Sequence, residues 1–308
     1  MPNEGPTNPH VGAYPGEREM GMTTPVAIGA FAALFGAAMA CICFIGGVSS
    51  MIVAFLKYGR LSELETTDLM AGEIMAVSFF AGFGSFVLVG LGILLAFGWH
   101  PKHILALRYF QPSVAILGGL GGLFVGLFPG WLAQQIMNYV PSLADSGTLQ
   151  ALQEGLVNGS PVERALMVLT IVVGAPLLEE FAFRGLFWTT CERMAPGGYG
   201  SAIALIATSI VFALAHADPV QSPALIPTAF FLGWVRLASG SIWPCVLVHF
   251  VNNGLAMVLT FTLPVTDTDL EYPWWVGLTG LLITVAFCAA IYAMAKKPFI
   301  TPETPAPT

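Results

Sequence analysis

The sequence predicts an all-α, polytopic transmembrane helix bundle of about eight spans, and three observations carry that prediction. Of 308 residues, 56% are hydrophobic and only 9% are charged, against roughly 25% charged in soluble domains. The apolar residues gather into stretches near the roughly 20 residues that a helix needs to cross the hydrocarbon layer. The formal net charge of −7 comes from few groups. The acidic ones cluster in the first twenty residues, near Glu63 to Glu73, and from Asp267 to Glu271.

Taken in order, residues 1–22 form a polar stretch with Gly and Pro, expected to be a disordered tail. The apolar run behind it is too long for the core of a signal peptide and becomes an uncleaved first helix. The spans are 25–56, 73–97, 113–137, 166–191, 201–216, 224–237, 242–262 and 274–294. The fifth and sixth are short, about 14 to 16 residues, and so are expected to be tilted, broken or partly re-entrant within the protein. In the third, Gly118, Gly122, Gly126 and Gly130 recur every four residues, a stripe that lets a neighbouring helix approach closely. The longest connection, 138–163, carries polar turn residues and a surface helix around 149–157. Residues 299–308 form a second disordered tail. With no detectable repeat, 23–298 reads as a single membrane domain.

Alternating the spans puts Arg18, Lys102, Arg108, Arg193, Arg236, Lys296 and Lys297 on one side and Lys57, Arg60 and Arg164 on the other. By the positive-inside rule both termini are cytoplasmic, in a multi-pass protein of the cell membrane. No basic patch points to nucleic acid. The five cysteines (Cys41, Cys43, Cys191, Cys245, Cys288) show no CxxC and no zinc-type spacing with histidine, and are expected to be small core residues.

Ionisable groups inside a membrane are costly and usually mark function. Here nearly all of them lie between Glu179 and Asn253. In the fourth span, GAPLLEEFAFRG places Glu179, Glu180 and Arg184 in an apolar run. At 3.6 residues per turn Glu180 and Arg184 share a face, while Glu179 is rotated by about 100°. One carboxylate is then neutralised by the arginine and the other left free. The fifth span ends with Phe212 and His216 on one face, and the seventh carries His249 and Asn253 one turn apart, with Asn252 beside them. Two histidines, a spare carboxylate and an amide are a hydrolytic tool set: Glu or His takes a proton from water, and an amide or imidazole N–H donates to an oxyanion. Read separately, each is also a structural element: a buried ion pair, a satisfied membrane histidine, an amide bonded across helices.

These residues resemble the three signature motifs of the CAAX protease and bacteriocin-processing enzyme family, the integral membrane group that includes the type 2 prenyl endopeptidases. EExxxR appears as Glu179-Glu180-Phe181-Ala182-Phe183-Arg184, FxxxH as Phe212-Ala213-Leu214-Ala215-His216, and HxxxN as His249-Phe250-Val251-Asn252-Asn253. The Gly240-to-Pro244 stretch resembles the family's lead-in to the third motif. The resemblance covers roughly 166–259 and implies a glutamate-dependent intramembrane endopeptidase with no metal and no other cofactor, its catalytic helices within 164–262. It implies Glu179 as the base that activates water, His216 as a residue that helps to hold it, and His249 and Asn253 as oxyanion donors. Glu180 and Arg184 would shape the site, with Phe212 and Asn252 in support. The implied partners are membrane lipid and a peptide or lipidated protein substrate, a prenylated CaaX protein among the candidates.

One tension is geometric: His216 ends its helix while His249 begins a helix of the same direction, which separates them by about 10 Å in depth. Among rival readings, a zinc protease would use Glu179, His216 and His249 as a His₂Glu set, although no HExxH is present. A serine protease finds only Ser85 and Ser241, neither in a GxSG context. A presenilin-like pair is excluded because no Asp lies inside a span. A transporter would call for inverted repeats or paired broken helices. An immunity-type protein would keep the motifs without catalysis.

Overall fold

A computed structural model of the chain describes residues 24–59, 68, 72–96, 99–143, 152, 155–195, 198–262 and 272–295. Both expected tails, 1–22 and 299–308, lie outside these residues, as does most of the predicted surface helix, of which 152 and 155–157 are described and helical. All regular structure among the described residues is helical. Eight helices dominate: α1 (Pro25–Tyr58), α2 (Gly72–Ala96), α3 (Pro112–Tyr139), α4 (Pro161–Glu192), α5 (Gly198–Leu214), α6 (Gln221–Ser239), α7 (Trp243–Thr262) and α8 (Trp274–Ala295). The first four and last two are long and apolar enough to cross a membrane.

Local chemistry sets the helix ends. Gly59 and Gly240 take left-handed backbone angles (φ 71° and 66°), which glycine adopts without strain, and so close α1 and α6. Pro161 opens α4 behind Ser160. The Ser160 hydroxyl accepts from the Glu163 amide while the Glu163 carboxylate accepts from the Ser160 amide, a reciprocal box that satisfies two amides left over at a helix start.

Of the two short spans, α5 stays short at 17 residues and ends at Leu214, two residues before His216, whereas α6 runs 19 residues with Pro227 inside, longer than its apolar stretch implies. The reason is the surroundings of α6. α6 packs against α3, α5, α7 and α8, so protein rather than lipid surrounds much of it and it need not be apolar throughout. Arg236 belongs to this helix, buried in its last turn, and not to a connecting loop; six basic residues then remain on the proposed cytoplasmic side.

Three glycines of the α3 stripe, Gly118, Gly122 and Gly126, face α7, whereas the fourth, Gly130, meets Tyr272 ahead of α8 at 4.0 Å. A methyl group added at Gly118 or Gly122 would lie 3.0 Å from Val248 Cγ2 or 2.9 Å from the Val248 carbonyl, and one at Gly126 would lie 3.0 Å from Asn252 Oδ1. The small residues therefore seat the segment Val248–Asn252 against α3. The largest apolar core cluster joins Phe86 of α2, Phe183 and Phe187 of α4, Phe212 of α5 and Phe231 of α6. Large apolar side chains such as Phe44, Leu88, Trp274 and Leu282 project outward, as a lipid-facing surface requires. Cys43 is also exposed on α1, unlike buried Cys41, Cys191 and Cys245, and all five cysteines are free.

Candidate active site

α4 supplies the central carboxylates, and it is not a uniform α-helix. Two π-helical turns, Thr170–Gly174 and Phe181–Phe187, bracket the short α-helical piece Ala175–Glu180. A π turn inserts one extra residue, so a backbone amide skips its usual carbonyl. The Ala175 amide bonds Thr170 rather than Ile171. The Trp188 amide bonds Phe183 and Gly185 rather than Arg184. Side chains from other helices take both skipped carbonyls: Asn253 Nδ2 donates to Ile171 at 2.8 Å and Arg236 Nε donates to Arg184 at 3.1 Å. Buried carbonyls are rarely left unpaired, and these two tie α4 to α7 and α6.

Between the two turns the carboxylates diverge. Glu180 is fully buried, and its Oε1 accepts from Arg184 Nη1 at 3.1 Å while standing 2.9 Å from His249 Nδ1. Arg184 Nη2 donates to the Ala229 carbonyl at 2.7 Å, and the guanidinium lies 4.5 Å from the centroid of the Phe212 ring. Glu179 is 8% exposed and makes no hydrogen bond among the described residues; the nearest polar contact is His249 Nε2, 4.0 Å from its Oε2. His249 thus stands between the two carboxylates. If its Nδ1–H donates to Glu180, the lone pair on Nε2 faces Glu179.

Phe212 is the hub of the remaining contacts, with ring centroids 5.1 Å from His216, 5.8 Å from His249 and 5.2 Å from Phe183. His216 stands in the turn after α5, half-buried, its Nδ1 3.0 Å from the Phe212 carbonyl. It reaches the cluster through Phe212, and among the described residues no hydrogen bond joins it to Glu179. Both histidines therefore lie against one aromatic ring, and of the two, among the described residues, it is His249 that meets the glutamates. Asn252 Nδ2 donates to Asn253 Oδ1 at a long 3.4 Å.

Residues invoked by rival chemistries are otherwise engaged. Ser85 donates to the carbonyls of Ala81 and Gly82, and Ser241 to that of Arg108. Buried Asp218 caps the turn into α6, its Oδ1 accepting from the amides of Val220 and Gln221. Among the described residues no three of His, Cys, Asp and Glu converge as a metal site would require, so Glu179, His216 and His249 do not form a ligand set. The residue that the motifs do not contain is Arg236. An ionisable group within an apolar stretch is the same signal that marked Glu179, yet its place at the end of that stretch made it read as a boundary charge.

The fold and the cluster define a polytopic helical membrane protein with a buried, asymmetric pair of carboxylates beside a histidine. Residues 161–255 match the family model described as type II CAAX prenyl endopeptidase, Rce1-like. The match covers about a third of the chain and takes in α4, α5, α6 and the first part of α7, the helices that carry every residue of the cluster. No curated protein matches the chain, and no solved structure matches it.

Proposed function

We propose that the protein is an intramembrane endopeptidase in which Glu179 activates water for hydrolysis of a peptide bond in a membrane-associated or lipidated substrate. The observation that carries this reading is the inequality of the two adjacent glutamates. Arg184 and His249 both engage Glu180 through its Oε1, leaving its Oε2 unpaired, whereas the buried Glu179 carboxylate makes no hydrogen bond at all among the described residues. A carboxylate held this way is a base waiting for a proton donor, and the attacking water is that donor.

In this mechanism water hydrogen-bonds to Glu179 Oε2 on the side that faces His249, loses a proton to the carboxylate and attacks the carbonyl carbon. The oxygen of the tetrahedral intermediate takes up negative charge and is met by an N–H donor, the Asn253 Nδ2 hydrogen not given to Ile171. Glu179 then passes its proton to the departing amine. Arg184 balances the charge of Glu180, so the site does not hold two uncompensated carboxylates.

The sequence match and an open apolar groove between α4 and α7 both support a substrate arriving from the bilayer. Leu169, Val172 and Val173 line one side of the groove and Phe250 and Phe261 the other. Val172 and Val173 follow Ile171, whose carbonyl Asn253 holds. A prenylated CaaX peptide is the first substrate to offer. Purified protein in liposomes is expected to trim it, and to retain that activity after extended treatment with EDTA or phenanthroline. Loss of activity on chelation, restored by stoichiometric zinc, would replace this mechanism with a metal-dependent one.

A further inference from the structure

We propose that Arg236, which lies outside all three motifs, is a positioning residue that fixes the angle at which α4 presents Glu179 and Glu180. The proposal rests on the endopeptidase reading for its consequence and on geometry for its substance. In the π turn Phe181–Phe187 the Trp188 amide passes over the Arg184 carbonyl, and Arg236 Nε takes that carbonyl at 3.1 Å. The same guanidinium lies 5.3 Å from the centroid of the Trp188 ring. Arg236 therefore grips α4 within the turn and again just beyond it, from the same helix whose Ala229 carbonyl accepts from Arg184.

The grip has a rotational meaning. One residue corresponds to about 100° of an α-helix, so relaxation of the π turn to regular α-helix would rotate Glu179 and Glu180 by about that angle relative to Trp188. Such a rotation would carry Glu180 away from His249 and turn Glu179 off the line it now shares with His249 Nε2. Supplying a donor for the skipped carbonyl makes the π turn the better-bonded alternative.

The side chain's own circumstances agree. Arg236 is 6% exposed, and among the described residues no carboxylate lies at ion-pair distance from it, although Glu192 acts on its charge from farther away. A buried guanidinium is costly to keep. Its side-chain hydrogen bond among the described residues goes to the carbonyl that the π turn exposes. The first π turn repeats the arrangement with Asn253 and Ile171, so the piece of α4 bearing both glutamates is held at each end by a side chain from another helix.

The test compares Arg236→Met, which keeps the stem and removes the donor, with Arg236→Lys, which keeps a donor and the charge. The first readout needs no activity: the imidazole ¹⁵N signals of His249 in detergent-solubilised protein. The proposal expects Arg236→Met to shift them and Arg236→Lys to stay near the parent. The second is the cleavage rate per folded molecule. Arg236→Met is expected to lose about 10- to 100-fold in kcat with KM changed less than threefold, and Arg236→Lys to recover most of it. An Arg236→Met protein with the parent's His249 signals and kcat overturns the proposal. Should Arg236→Met not fold, Arg236→Lys decides, because a folded Lys variant with shifted His249 signals contradicts a role resting on the donor. A parent inactive on every substrate would defeat the endopeptidase reading while the His249 signals still judge the placement of Arg236.

Discussion

α4 carries two ionic clusters, and the contrast between them separates a fastening from a site. At its first turn, Lys57 of α1 bonds Glu163 and lies 3.1 Å from Glu73 of α2, with side chains 19% to 38% exposed. At its middle, Glu180 and Arg184 are both fully buried, with His249 against them. The residue types are nearly the same and the surroundings are not. Exposed pairs gain about 0–1 kcal/mol because solvent screens them. Breaking a buried pair strands a desolvated charge. The outer cluster joins three helix ends near the surface. The inner one gives one glutamate two partners and, among the described residues, leaves its neighbour without a hydrogen bond, an asymmetry that fastening helices together does not require.

The contrast is sharpest where the inner pair is broken. Glu180→Gln leaves Arg184 buried without its carboxylate and is expected to destabilise the fold by about 3–5 kcal/mol, seen as less folded protein in the membrane and a lower denaturation midpoint. Asn253→Ala strips the donor from the Ile171 carbonyl, an expected cost of about 1–3 kcal/mol. It should also lower kcat by about 10² to 10³-fold if the amide serves the oxyanion. Comparing stability with rate separates its two roles. Gly122→Ala would press a methyl group against the Val248 carbonyl, 2.9 Å away. The backbone there cannot yield as a flexible side chain would, so a loss of about 1–3 kcal/mol is expected by the same denaturation measurement. At the outer cluster Lys57→Met should cost under about 1 kcal/mol for each pair removed. Raising salt to about 1 M should weaken the parent's outer cluster and leave the inner one nearly untouched. A Lys57→Met protein as unstable as Glu180→Gln would erase the distinction.

Much of this could be read from the chain because a bilayer leaves few choices. Apolar stretches of spanning length become helices, as 25–56 and 274–294 did. The spacing of Glu180 and Arg184 already implied a shared face, and their 3.1 Å contact follows from it. The Gly118–Gly122–Gly126 spacing announced a close helix approach, although which helix it would meet was a tertiary matter. The π turns were illegible: α and π turns use the same residue types, and the extra residue is held by donors more than 50 positions away. The reach of α6 was missed because burial by four neighbouring helices, and not apolar composition, sustains it. His216 and His249, for which the sequence implied a depth gap, both pack against the Phe212 ring, at 5.1 and 5.8 Å between centroids.

The central claim, that two adjacent glutamates have different work, is tested most directly by the cleavage rate per folded molecule of Glu179→Gln in liposomes. Glutamine keeps the shape of the side chain and cannot accept the proton, and because Glu179 has no ion-pair partner at hydrogen-bonding distance the variant should fold like the parent. The account predicts parent-like stability with hydrolysis reduced at least 10² to 10⁴-fold, the opposite balance from Glu180→Gln. A Glu179→Gln protein that cleaves at the parent's rate would contradict it.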